Sequence, residues 1–255
     1  MNILLTNDDG IDSPGLHILA RTLEGEHRVM IVAPDGERSG KSHSISLGGP
    51  VKMRRITENT LSCDGTPADC VLFSILGAIP FKPDIVISGI NRGPNLGTDI
   101  IYSGTAAAAR QAALMGYAAI AVSVTPYSPP YPYETAASFI RDNIDLFLSL
   151  WTCDHFLNIN VPAVDPAVMG VEVTHPSRRI YNDRLVRFQA PNKDEYFFLT
   201  GSRAEARLEE GSDWHAVVHG NISVSPIFLH PLNHVEDEAY RRTVFRKPLR
   251  YEEEP

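Results

Sequence analysis

The sequence predicts an α/β protein built on a doubly wound, mostly parallel sheet with helices on both faces. Two observations carry that expectation. Short apolar runs without polar alternation recur at 2–6, 28–34, 84–89 and 118–124, and stretches bearing helix-start signals lie between them. Strands of that kind are buried on both faces, as happens when crossover helices cover a parallel sheet. A third observation sets the extent of the pattern: after TPYSPPYPYE (125–134) the chain turns to short strands and extended arms. Residues 1–128 are therefore read as the core carrying the functional loops. Residues 129–255 are read as the remainder of the sheet plus a β-rich region for oligomerisation.

Each element has its own signal. NILLT (2–6) is an unbroken apolar strand, and Ser13-Pro14 supplies an N-cap and first-turn proline for the helix GLHILARTLEG. RVMIVAP (28–34) is the second strand, and HSISLGGPVKM (43–53) alternates as a strand does. Thr66 and Pro67 open a helix in GTPADCV, and DIVISG (84–89) is the next strand. SGTAAAARQAALMG (103–116) is an alanine-rich helix closed by Gly116, followed by the strand AAIAVSV (118–124). Beyond the Pro/Tyr loop come a helix near 134–150 and the strand LNINVP (157–162). VEVTH, FQAPN, EYFFLTG and ISVSPI read as short strands or arms with few helices to cover them, and uncovered strands seek a partner chain. The tail RKPLRYEEEP is charged and reads as a frayed end.

Composition bounds the function classes. Of 255 residues, 43% are hydrophobic, enough for a sizeable core, yet every long apolar run is broken by Gly, Pro, Ser or Asp. No membrane-spanning helix is expected. The opening shows no basic stretch or small-residue cleavage site, so no secretory signal is expected either. Cys63, Cys70 and Cys153 lack metal-ligand spacing and read as free thiols of a cytoplasmic protein. A net charge of −8 argues against a binder of nucleic-acid duplexes.

In a doubly wound sheet, ligands bind beyond the carboxyl ends of the strands. NDDG, PDGERSGKSHS and GINRGPNLGTDIIYSGT all fall there. Asp8 and Asp9 suit either an Asx-type turn or a divalent cation site, since adjacent carboxylates repel unless a cation sits between them. Ser39-Gly40-Lys41-Ser42 is not a P-loop: the spacing from Gly36 is one residue short, and a strand-like stretch follows. Lys41 then reads as a solvated lysine, and Ser39 as a turn residue or a neutral ligand. His43 is either a hydrogen-bonded structural residue or an acid for a leaving group. Asn91 and Asn95 offer neutral amide groups. Ser103, Gly104 and Thr105 open a helix with hydroxyls and no bulk, which suits a phosphate, although one of these hydroxyls is expected to cap the helix. Asp99 is either a supporting or a surface residue. A cation held by acids and an anion cradled at a helix end describe metal-assisted phosphoryl chemistry.

Four motifs in order, NDDG, APDGERSGKSHSIS, GTPADCV and SGINRGPNLGTDIIYSGT, resemble the SurE (survival protein E) nucleotidase family. DWHAVVHGNISVSPI resembles that family's later segment, with Ser225 and Ile227 in place of Thr and Leu. The resemblance implies a Rossmann-like core and a phosphomonoesterase acting on nucleoside 5′- and 3′-monophosphates. It implies one divalent cation (Mg²⁺, Mn²⁺ or Co²⁺) held by Asp8, Asp9, Ser39 and Asn91, with Asp8 and Asp9 central to catalysis. It implies phosphate contacts from Asn95, Ser103, Gly104 and Thr105; His43 joins these substrate-binding candidates on its own chemistry and not through the resemblance. It further implies a homodimer or homotetramer joined through the C-terminal region. Two rivals are a phospho-receiver domain and a nucleotide-binding module without catalysis. A receiver requires an aspartate where Ser88-Gly89 stand and Lys-Pro where Thr125-Pro126 stand, and a mere binding module has no need of Asp8 and Asp9 together.

Overall fold

The computed structural model describes residues 1–202 and 204–230; the tail 246–255 lies outside them. The first half runs β1 (Asn2–Thr6), α1 (Pro14–Leu23), β2 (Arg28–Pro34), β3 (Met53–Thr57), β4 (Thr60–Cys63), α2 (Pro67–Phe73), β5 (Ile85–Arg92), α3 (Gly104–Leu114) and β6 (Ala118–Val124). The second half runs α4 (Tyr133–Leu150), β7 (His155–Val161), β8 (Val171–Val173), β9 (Arg179–Ile180), β10 (Asp183–Gln189), β11 (Glu195–Gly201), β12 (Glu205–Ala206), α5 (Asp213–Val218) and β13 (Ile222–Phe228). Among the described residues, nine strands form one sheet in the order β3-β4-β2-β1-β5-β6-β7-β13-β8. Pairing is parallel from β4 across to β7, and antiparallel where β3 meets β4 and where β13 meets β7.

Both faces of the central strands are dry. In β1, Ile3 and Leu5 join a core with α1 and α4, while Leu4 joins the opposite core with α2 and α3. This explains why the central strands lack polar alternation. Six alanines of α3 are buried, so a helix without bulk packs against the sheet. The chain leaves β1 for β2 on one side and later returns to β5 on the other. The carboxyl ends of β1 and β5 therefore flank the switch point, where ligands bind in open α/β sheets.

Three expectations need correction. HSISLGGPVKM is not a strand: residues 43–52 are irregular, interrupted by Gly48-Gly49-Pro50, and pairing begins only at Met53. The strand expected at 84–89 runs on to Arg92, which carries Asn91 and Arg92 to the switch point. DWHAVV, read within an extended region, forms the short helix α5, capped by Ser212 accepting from His215 N. β10 and β11 pair as a hairpin outside the main sheet, with every residue exposed, including Phe188, Phe197, Phe198 and Leu199. Among the described residues, no helix is long and apolar enough to cross a membrane.

Candidate active site

Asp8 and Asp9 follow β1, and the turn beneath them is made by a neighbour. Asn7 Nδ2 donates to Gly10 O at 2.9 Å and Asn7 Oδ1 accepts from Gly10 N at 3.2 Å. Gly10 has φ +102°, and a Cβ there would lie 3.0 Å from the Gly36 backbone. The Asx-type turn thus belongs to Asn7, which leaves both aspartates free for other work.

The opening of α3 then holds one carboxylate and the end of β5 the other. Asp8 is 4% exposed, and its Oδ1 accepts from the Thr105 hydroxyl. Its main-chain oxygen accepts from Arg38 N at 2.7 Å, which draws the loop bearing Ser39 to this side of the site. Asp9 Oδ2 accepts from Arg92 N at 3.1 Å and Oδ1 from Arg92 Nε at 3.2 Å. Arg92 also reaches Glu37 at 3.6 Å. Burial pushes Asp8 up to about 6, against the opposing hydrogen bond from Thr105, and Asp9 adds repulsion. Burial also raises Asp9, outweighing the Arg92 contacts that favour its charged form.

These residues fit a hard divalent cation. Two adjacent, desolvated carboxylates would provide charge and Asn91 a neutral oxygen; Ser39 lies exposed on the loop that Arg38 N ties to Asp8 O. Asn91 commits its amide nitrogen to Gly93 O at 2.9 Å, so its Oδ1 is the group left for a metal. Among the described residues, no cluster of three or more His, Cys, Asp or Glu could hold a metal. Any cation here would depend on this mixed set of acids and neutral oxygens.

The opening of α3 meets the same carboxylates. Ser103 is the cap: its Oγ accepts from Ala106 N at 3.0 Å. Thr105 is the residue bonded to Asp8. A Cβ on Gly104 would stand 2.7 Å from Asp8 Cβ and 2.9 Å from its Oδ2. The helix end expected to cradle a phosphate is therefore packed against Asp8, where its dipole and amides favour a negative charge.

The remaining candidates bond to partners other than Asp8 and Asp9. Asn95 is 8% exposed; its Nδ2 donates to Ser123 Oγ at 2.8 Å, its N donates to Asn160 Oδ1 at 2.9 Å, and its O accepts from Asn158 and Asn160. It is tied to β6 and β7 through a buried polar network. His43 Nε2 pairs with Gln111 Oε1 at 2.9 Å, and burial lowers its pKa. Gln111 stands seven residues beyond Gly104, about 10 Å along the helix, so His43 is not gathered with the aspartates. Asp99 faces Arg179 and Tyr181. Arg92 was not singled out from the sequence; its only signal was its place beside Asn91 in the glycine-rich loop. A cavity of about 240 Å³ opens beside Asp9, lined by Asp12, Ser13, Asp35 and Arg92 among others.

The family model described as "Survival protein SurE" matches residues 3–183. A protein of Kosmotoga olearia named 5′-nucleotidase SurE is 43% identical over 235 residues, covering 89% of this chain and 92% of that one. One of the same name from Geotalea daltonii is 40% identical over 236 residues, covering 92% and 95%. The crystal structure of the SurE protein from Aquifex aeolicus superposes with a TM-score of 0.83 at 35% identity, covering 94% of this chain and 98% of that one.

Proposed function

The chain belongs to the survival protein SurE family, and we propose on that footing that it is a 5′/3′-nucleotidase. It hydrolyses nucleoside 5′- and 3′-monophosphates to nucleoside and inorganic phosphate, and depends on a divalent cation. The observation that carries this reading is the convergence at the switch point: two buried carboxylates packed against the opening of α3, with Asn91 at the adjacent strand end.

Asp8, Asp9, Ser39 and Asn91 would hold one Mg²⁺, Mn²⁺ or Co²⁺ per subunit, which when bound supplies Lewis acidity and a more acidic water. Thr105 fixes the rotamer of Asp8, and Arg92 does the same for Asp9, so the two carboxylates are preorganised. Gly104 keeps the helix end open enough for Asp8 and a phosphoryl oxygen to share it. Ser103 holds the first turn in shape. Asn95 supports the loop from behind through the Ser123, Asn158 and Asn160 network. His43 is assigned no step, since its Nε2 is engaged by Gln111.

The exposed β10–β11 hairpin supports a homodimer or homotetramer assembled through the C-terminal region, because a row of exposed aromatic and aliphatic side chains favours burial against another copy. The free thiols Cys63, Cys70 and Cys153 suit a reducing, cytoplasmic setting. Phosphate release from a panel of nucleoside monophosphates, with Mg²⁺, Mn²⁺ or Co²⁺ and an EDTA control, tests the proposal. Metal-stimulated release that EDTA abolishes is expected; no release with any of the three metals rejects it.

A further inference from the structure

Loop 97–102 is the part of the β5–α3 connection that leads into the opening of α3, so its position decides where Ser103, Gly104 and Thr105 stand. Gly97 N donates to Asp213 Oδ2 at 2.6 Å, across 116 residues of sequence. Asp213 Oδ1 accepts from Ser177 N at 2.9 Å and from Trp214 N at 2.7 Å. Asp213 is fully buried. Among the described residues no cation pairs with it, and main-chain amides alone satisfy its charge. Burying a carboxylate this way is unfavourable unless its acceptors are filled, and here two of the three bonds leave its own helix.

The surroundings serve the same junction. Gly97 has φ +53°, and a Cβ there would fall 2.0 Å from Ser177 O, so the two backbones touch. Arg179 N donates to Thr98 Oγ1 at 3.0 Å, and Arg179 Nε donates to Asp99 Oδ2 at 3.0 Å. Tyr181 OH donates to Asp99 Oδ1 at 2.6 Å. The Arg179 guanidinium lies 4.6 Å from the Trp214 ring centre. Loop 97–102 is thus gripped by chain segments from the distant C-terminal half, and none of the gripping residues touches Asp8 or Asp9.

We propose that Asp213 is a positioning residue for phosphoryl transfer: it fixes loop 97–102 and so sets the opening of α3 against Asp8. The reaction named here rests on the nucleotidase reading above. A purely structural Asp213 would pin loop 97–102 to α5 with no bearing on turnover.

Asp213→Asn separates the two. It keeps the shape but turns one acceptor into an N–H₂ that faces a main-chain donor. Ser225→Ala serves as the control; it removes a buried bond from β13 to Thr174, just after β8, without touching the loop. Both full-length variants are assayed for kcat and KM with a nucleoside 5′-monophosphate at saturating Mn²⁺, for the thermal shift on adding Mn²⁺ alone, and for amide hydrogen exchange of residues 97–105. For Asp213→Asn, kcat/KM falls roughly 10- to 100-fold, mostly in kcat, as a displaced catalytic group requires. Exchange across 97–105 speeds up, and the Mn²⁺ shift shrinks, because Thr105 at the opening of α3 holds Asp8. Ser225→Ala keeps wild-type kinetics and exchange in that loop. A folded Asp213→Asn with kcat and KM within about twofold of wild type, or with unchanged exchange at 97–105, overturns the proposal. If Asp213→Asn does not fold, the isosteric Thr98→Val, which removes the acceptor of Arg179 N, is read by the same criteria. Should the wild-type chain release no phosphate, the nucleotidase reading falls and the exchange measurement alone judges the clamp.

Discussion

Adding one methyl group at Gly104 tests the geometry of the site most directly. An ideal Cβ there stands 2.7 Å from Asp8 Cβ and 2.9 Å from Asp8 Oδ2. Ordinary carbon contacts lie near 3.5–4.0 Å, so Asp8 or the opening of α3 must move by roughly 1 Å. Asp8 cannot easily turn aside, because it is buried and bonded to Thr105. Overpacking of this kind destabilises by about 1–3 kcal/mol, and a catalytic group displaced by about 1 Å loses on the order of 10²-fold in rate. Gly104→Ala is therefore expected to lower kcat/KM by about two orders of magnitude and to shrink the Mn²⁺-induced thermal shift. Gly104→Val is worse. Ser103→Ala, by contrast, loses a helix cap worth about 1 kcal/mol and keeps the carboxylate in place, so its kcat/KM stays within about tenfold of wild type. Phosphate-release kinetics with melting curves, each with and without Mn²⁺, read both effects. A Gly104→Ala enzyme of wild-type kcat/KM, or a Ser103→Ala enzyme more impaired than it, would falsify the claim that this helix end is shaped around Asp8.

Three further outcomes follow from the same contacts. Asp8 titrates near 6 in the folded chain against 3.8 ordinarily, so between those values the folded state binds more protons and stability falls as pH rises. In EDTA-treated protein at pH 8, Asp8→Asn should match or exceed the wild-type stability to unfolding, by up to roughly 3 kcal/mol, with the gap closing by about pH 4 and the Mn²⁺ shift lost; a destabilised Asp8→Asn at pH 8 contradicts this. Asn7→Ala opens the turn beneath the carboxylates by removing two hydrogen bonds, at about 1–3 kcal/mol, and should weaken the Mn²⁺ shift although Asn7 is no ligand; an undiminished shift refutes that dependence. Phe198→Asp with Leu199→Asp, on the exposed hairpin, should lower the mass measured by light scattering while leaving a folded core; a wild-type chain that already runs as a monomer rules out the arm's role in assembly.

The central fold was legible because its signals are local and redundant. β1, β2, β5 and β6 are unbroken apolar runs, and α3 carries its cap, its alanines and its closing glycine within fourteen consecutive positions, 103–116. The edge hairpin was not legible. β3 is MRRIT, exposed along almost its whole length, so it has no buried face to impose a pattern. HSISLGGPVKM showed alternation without pairing, and Leu47 there is 86% exposed. α5 is six residues long, too short for helical periodicity to register, and only its cap and its packing define it. Arg92 and Asp213 were missed for another reason. Each is an ordinary charged residue whose partner lies 83 or 116 positions away, and beyond Arg92's place beside Asn91 nothing in the local sequence distinguishes it from a surface charge.

At the site the residue types were legible, and their division of labour was not. NDDG offers three side chains that can close an Asx turn, and only folding assigns that task to Asn7. Likewise SGT at a helix start identifies an anion position but not the anion. The first anion there is Asp8, held by Thr105 and packed on Gly104. This joins what the sequence presents as two sites. A carboxylate at a helix N-terminus stays negative more readily than one buried elsewhere, yet burial still leaves Asp8 harder to ionise than an ordinary aspartate. The residual penalty is the kind a divalent cation removes. Asp8 would help hold such a cation beside the helix end that would receive a phosphate, so the residues for the two would meet at one place. The small residues at the start of α3 are needed for both, which is why a change of a single carbon at Gly104 should be felt in metal affinity and in turnover together.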